Sequence, residues 1–283
     1  MPIDESLKNN LQSHLFQIVR ERDPYFATGG YFYVREYIRS ELQKWGIVET
    51  HQFSDNGRTH QNIILNLPGD DSSRPPILIG AHYDTVPGSP GADDNGSGIA
   101  ALLELARIFA TSPAKYPLRL AAFDLEEYGL LGSTAYAKHL HANQEPLRLM
   151  ISLEMLGYRD STPNSQRYPV GLQYFYPNTG DYIALIGNLS NLIDLKKISH
   201  SIKTTANIPC EILPVPLRGF VVPDTRRSDH APFWDQGYAA IMITDTANMR
   251  NPHYHQPTDT LDTLDLDFLT GVCQGLAAAI HNL

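Results

Sequence analysis

The sequence predicts an α/β fold, with three layers and a mostly parallel, mixed sheet between helices. Three observations carry that expectation. Short apolar runs such as Ile77-Leu78-Ile79-Gly80-Ala81 have the unbroken character of strands buried on both faces. Between these runs lie stretches whose apolar residues recur at helical spacing, and strand, helix and strand in series imply parallel pairing with helices on both faces. A chain of 283 residues with 42% hydrophobic and 19% charged residues has the balance of a globular protein.

Taken in order, Leu7, Leu11, Leu15, Ile18 and Val19 form the stripe of an amphipathic helix. A second helix follows Gly29-Gly30, with Val34, Tyr37, Ile38, Leu42 and Trp45 on one face and Gly46 as its stop. The runs 47–53 and 62–67, separated by the turn-prone Ser54-Asp55-Asn56-Gly57, suggest a hairpin. Next come the strand 77–81, a helix over 96–110 with Ile99, Leu102, Leu103, Ala106 and Phe109 on one stripe, and a strand over 118–123. A helix over about 133–142 and a strand over 147–153 follow. A helix near 182–206, a strand over 238–243 and a terminal helix carrying Leu269, Val272, Cys273, Leu276 and Ile280 complete the series. Residues 157–180 and the proline-rich 209–228 read as long loops, either functional or ordinary surface excursions. One domain over residues 1–283 is expected, with a helical N-terminal segment, about 1–46, packed on it.

Lys and Arg number 22 against 31 Asp and Glu, which sets the net charge at −9 and argues against a general nucleic-acid binder. No window approaches the roughly 18 consecutive apolar residues of a membrane span, so no membrane partner is expected. The first ten residues lack the apolar run of a signal peptide. The two cysteines, Cys210 and Cys273, rule out a disulfide framework, and the chain reads as cytoplasmic. Oligomeric state and side-chain specificity are left open by these features.

The chemistry lies where polar residues meet the ends of the buried strands, the edge at which open α/β sheets build their sites. The first strand ends in His82-Tyr83-Asp84 and is followed by Gly91-Ala92-Asp93-Asp94-Asn95-Gly96. The next ends in Asp124-Leu125-Glu126-Glu127, the third in Leu153-Glu154, and Tyr254-His255 with Asp259 precede the last helix. Taken singly, each has an ordinary structural reading: a hydrogen-bonded histidine, an acidic helix start, a turn with its cap. Together they would crowd carboxylates at one edge, where like charges cost stability unless a cation neutralises them. Histidine mixed with carboxylates suits zinc better than calcium or magnesium. The excess of carboxylates favours two metals sharing one, with a spare glutamate as general base toward water.

The series His82-x-Asp84, Gly91-Ala92-Asp93-Asp94-Asn95, Glu126-Glu127-x-Gly129, Glu154-Met155 and Tyr254-His255 resembles the co-catalytic zinc aminopeptidase family, to which glutamate carboxypeptidase and glutaminyl cyclase are related. The resemblance runs from about residue 77 to 260 and implies the zinc-exopeptidase type of three-layer fold. It implies two zinc ions: His82 and Glu154 on the first, Glu127 and His255 on the second, and Asp94 bridging both. It puts Glu126 in the general-base position, Asp84 behind His82, and Tyr254 near the oxyanion, with a cis peptide between Asp94 and Asn95. Asp259 is expected to orient His255, Asp229 to support the site, and His230 to be structural. Many relatives have Asp where this chain has Glu154, so one-metal chemistry is a competing reading. The implied activity is removal of the N-terminal residue from a peptide or small amide, with Glu127 and Glu154 as candidates to hold its α-amine. Glutaminyl cyclisation with a single zinc, a carboxypeptidase or deacylase, and a non-catalytic module of the same fold are the alternatives. The aromatic residues Tyr168, Tyr174, Phe175 and Tyr176, with Phe220-Val221-Val222, are candidates for an apolar pocket wall, and Arg226 and Arg227 for a carboxylate site.

Overall fold

The computed structural model describes residues 3–283, so the first two residues of the expected N-terminal segment lie outside the described residues. Helix α1 spans Glu5–Ile18 and starts where the Asp4 carboxylate accepts from the amides of Ser6 and Leu7. Helix α2 spans Thr28–Gln43. Strands β1 (Val48–Asp55) and β2 (Arg58–Leu67) form the expected hairpin. Its two turn residues, Asn56 and Gly57, both have positive φ, the geometry that closes a two-residue hairpin.

Strand β3 (Ile77–His82), helix α3 (Gly98–Thr111), strand β4 (Leu118–Phe123), helix α4 (Leu131–Ala142) and strand β5 (Leu149–Glu154) alternate as the pattern predicts. The expected helix over 182–206 is in fact two elements, strand β6 (Ile183–Asn188) and helix α5 (Leu192–Ala206). Ile183-Ala184-Leu185-Ile186 is buried throughout, and a short unbroken apolar run looks alike in a strand and in a buried helix. Strand β7 (Cys210–Val215) lies inside the stretch expected to be a loop. It is an outer strand, where Pro214 is tolerated because one edge needs no partner. Helix α6 (His230–Asp235), strand β8 (Ala240–Thr244) and helix α7 (Leu266–His281) end the chain.

The eight strands form one sheet in the order β1-β2-β4-β3-β5-β8-β6-β7. From β4 through β3 and β5 to β8 neighbours are parallel, as are β6 and β7; the antiparallel pairs are β1–β2, β2–β4 and β6–β8. The sheet is mixed and mostly parallel, with helices on both faces. Ile77, Ile79 and Ala81 point into a core shared with α1, α2, α3, α5 and α7. Leu78 and Met150 point the other way, to a smaller core closed by α4 and α6. Among the described residues no helix is long and apolar enough to cross a membrane.

Candidate metal centre

Because β3, β4 and β5 are parallel, their carboxyl ends reach the same edge. His82 is the last residue of β3 and Glu154 the last of β5, and both are buried. The chain turns sharply after β4 and β5: Leu125 and Met155 have left-handed backbones at φ 55° and 53°, and His255 joins them at 58°. That region is uncommon for side chains of this size, and such residues gather at functional sites. The turn at Leu125 carries Glu126 and Glu127 back over the strand tips. The Asp84 carboxylate fixes them by accepting from both amides, at 3.1 and 3.2 Å. Asp84 also faces the His82 ring: Nδ1 lies 3.3 Å from its carbonyl oxygen and 3.5 Å from Oδ1, which leaves Nε2 turned toward the acids.

Asp94 sits in an irregular helical turn over Ala92–Ser97, and the Asp94–Asn95 peptide is cis, as the resemblance implies. The Asn95 side chain ties this turn to β5, donating to the Leu153 carbonyl at 2.8 Å and accepting from the Met155 amide at 3.1 Å. The expectation for Asp259 is corrected here. Its carboxylate does not reach for His255 but accepts from the amides of Asp93 and Asp94, both at 3.0 Å, because the turn exposes two adjacent N–H groups that need an acceptor. Below the turn lies a residue that sequence reasoning missed. Arg22 is fully buried and donates to the carbonyls of Tyr83 (2.8 Å), Pro90 (2.7 Å) and Gly91 (2.9 Å). Gly91 has φ +60°, and a Cβ there would stand 2.3 Å from the Asp94 carbonyl oxygen, so the turn needs glycine.

The side chains converge on two neighbouring points. His82 Nε2 lies 3.2 Å from Asp94 Oδ1 and 3.6 Å from Glu154 Oε1. His255 Nε2 lies 3.2 Å from Asp94 Oδ2 and 3.1 Å from Glu127 Oε2. Glu126 stands beside both, with Oε2 4.0 Å from His82 Nε2. Three groups of potential ligand atoms fall within metal-holding range: His82, Asp94 and Glu154; Asp94, Glu127 and His255; and His82, Glu126 and Glu127. The first two share only Asp94, one oxygen to each side, so they can be filled together. Both histidine Nε2 atoms and Glu127 Oε1 are buried without a hydrogen-bond partner in the protein. Buried polar atoms are rarely left so, and their convergence fits a cation.

The electrostatics carry the same strain. Burial raises the Glu126 carboxyl well above its usual range, and Glu154, Glu127 and Asp229 reinforce this against the pull of His82. Burial and then Asp94 push Glu127 up to about 7. Burial alone would lower His255, but the Asp94 and Glu127 carboxylates together lift it to about 10. Asp229 is buried, pushed to about 7 mainly by burial, and neither of its oxygens has a hydrogen-bond partner. His230 instead bonds the Thr225 carbonyl at 2.8 Å and packs edge-on against Trp234, and burial lowers it to about 3.

A cavity opens from Glu154 and Tyr254. The Tyr254 ring stacks on His255 at 3.8 Å, and its hydroxyl is 3.2 Å from Arg227 Nη2. Tyr168, Tyr176 and Val222 line the cavity, whereas Tyr174, Phe175, Phe220 and Val221 are exposed and do not line it. Arg226 is tied up by Asp235 at 2.7 Å and does not face the site.

Residues 62–280 match the model of peptidase family M28. This chain belongs to peptidase family M28. It is therefore a hydrolase of the peptidase class. The protein YfbL of Escherichia coli (strain K12) is 36% identical over 259 residues, covering 87% of this chain and 79% of YfbL. The LapA aminopeptidase of Legionella pneumophila shares the fold, with a TM-score of 0.75 at 21% identity over 97% of this chain and 70% of that one. BSAP, described as a zinc aminopeptidase from Bacillus subtilis, superposes with a TM-score of 0.58 at 27% identity, covering 80% of this chain and 51% of BSAP.

Proposed function

We propose that this M28 peptidase is an aminopeptidase that works with two zinc ions and a glutamate base. The observation that carries the reading is the pair of ligand triads meeting at Asp94, with Glu126 left over beside both. The similarity to BSAP, described as a zinc aminopeptidase, supports the choice of metal. His82 and Glu154 would hold one ion, Glu127 and His255 the other, and Asp94 would bridge them. A zinc pair supplies a water of lowered pKa and an electrophile for the scissile carbonyl.

The chain's own groups account for the remaining steps. Glu126, kept protonatable by burial, takes the proton of the attacking water and hands it to the leaving amine. Tyr254 lies on the cavity wall with Glu154, where its hydroxyl can donate to the oxyanion. Asp84 acts from behind, holding both the Glu126 and Glu127 amides and the His82 ring. The carboxylates facing the cavity attract the substrate's free α-ammonium.

Metal analysis combined with a panel of aminoacyl and N-terminal glutaminyl substrates tests the reading. Two zinc ions per chain with release of free amino acid are expected. One zinc with release of ammonia from the glutaminyl substrate would overturn it in favour of intramolecular cyclisation.

A further inference from the structure

The cavity that begins at Glu154 and Tyr254 continues over the faces of β6, β7 and β8 and is roofed by the segment between β5 and β6. Its far end is aromatic and acidic at once. Glu211 on β7 lines it, opposite Ala184 of β6 in register, together with the rings of Tyr168, Tyr176 and Tyr182. The phenols are already committed: Tyr176 donates to the Ile212 carbonyl at 2.9 Å, and the Tyr168 and Tyr182 hydroxyls are 2.8 Å apart. What Tyr168 and Tyr176 offer the cavity is ring surface, whereas the Tyr182 ring already carries the Arg250 guanidinium 4.6 Å from its centre. Burial mainly, and the Glu211 charge next, make the Tyr176 phenol harder to ionise, which puts that charge beside its ring; at Tyr168 and Tyr182 the Arg250 charge acts more strongly, in the opposite sense.

Among the described residues no hydrogen bond or ion pair reaches the Glu211 carboxylate. The other charged groups of the wall are accounted for. Glu154 belongs to the metal centre, and Arg227 stands 4.0 Å from Asp224 with its other contact at Tyr254. Arg250 is not part of the wall; it donates to Gln166 Oε1 and to the carbonyls of Tyr158 and Tyr182. A neutral side chain filling this end would strip water from a carboxylate and return nothing, which is costly. A cation would pair with the carboxylate and lie against the ring faces, both favourable.

We propose that this cavity receives the side chain of the substrate's N-terminal residue and that Glu211, with the Tyr168 and Tyr176 rings, selects lysine or arginine there. This rests on the aminopeptidase reading for its position in the substrate. The test compares lysyl and norleucyl p-nitroanilides, which match in length and differ in charge, on the zinc-loaded enzyme and its Glu211→Gln variant. The wild type should favour lysine by about tenfold or more in kcat/KM, and the variant should lose that preference, its lysyl rate falling while its norleucyl rate holds or rises. A norleucyl rate no lower than that of the wild type reports that the variant is folded and active. A wild type that prefers norleucine, or a preference untouched in the variant, overturns the proposal. Calorimetric binding of free L-lysine against L-norleucine separates the two readings. Lysine bound more tightly without turnover of any aminoacyl amide would sink the aminopeptidase reading and keep the pocket. Turnover without a lysine preference in rate or binding would do the reverse.

Discussion

Glu126 is held in an unusual position for a carboxyl: buried, beside three other acids, and 4.0 Å from His82, which belongs to one metal triad that is complete without Glu126. Replacing it with glutamine keeps the shape and removes the proton exchange. Glu126→Gln should lower kcat by roughly 10² to 10⁴-fold while metal analysis shows zinc content unchanged; a variant with ordinary turnover would remove the base assignment. His82, Glu126, Glu127 and Glu154 were legible in the sequence because each ends or follows a recognisable buried strand, where such folds put their chemistry, whereas Asp94 and His255 were legible from the motifs around them. Arg22 was not legible. It lies in the polar stretch between α1 and α2, and its acceptors are backbone carbonyls 61 to 69 residues further along the chain. Carbonyls have no side-chain signature, so a guanidinium that serves them looks like any surface arginine. Asp259 was misplaced for the same reason, since its partners are backbone amides.

At the level of elements, periodicity located α1 and α2 because each presents a wet face and a dry one, and it located α3 and α7 from their apolar stripes although both are buried nearly all round. It failed at β6, where burial on both sides removes the contrast, and at β7, where Pro214 resembled a loop signal. The packing of α5 on α7 depends on smallness. A Cβ on Gly275 would come within 2.7 Å of the Ile202 backbone, and one on Gly271 within 2.7 Å of the Ile208 side chain. Gly275→Ala should therefore destabilise the protein by about 1–3 kcal/mol despite alanine's better helix propensity, because the neighbour is backbone and cannot turn aside. Urea unfolding measures this, and an unchanged midpoint would mean the helices slide apart at no cost.

The whole molecule carries the electrostatic load of its site. Glu127, Asp229 and Asp259 are each pushed to about 7 in the fold, mainly by burial, and His255 is lifted to about 10 by its two carboxylates against burial. In every case the folded chain keeps a proton that the unfolded chain has already released. Stability then falls as pH rises, first through the carboxylate window from about 4 to 7 and then through the histidine window from about 6.5 to 10. Chelated protein should show a melting temperature that declines steadily from about pH 5 to about pH 9, and zinc should flatten the decline by displacing those protons. Thermal scans across pH, with and without zinc, check this; a chelated protein that gains stability over that range would contradict it. The architecture also divides its labour. The acid cluster hangs from the tips of β3, β4 and β5, while the cavity roof belongs to one chain segment over β6 to β8. Past Gly157, whose amide like that of Leu156 holds the Asp93–Ser97 turn, that segment carries no ligand of the centre. Such a molecule is suited to divergence: its appetite can be rewritten by exchanging a roof, with the reaction beneath inherited intact.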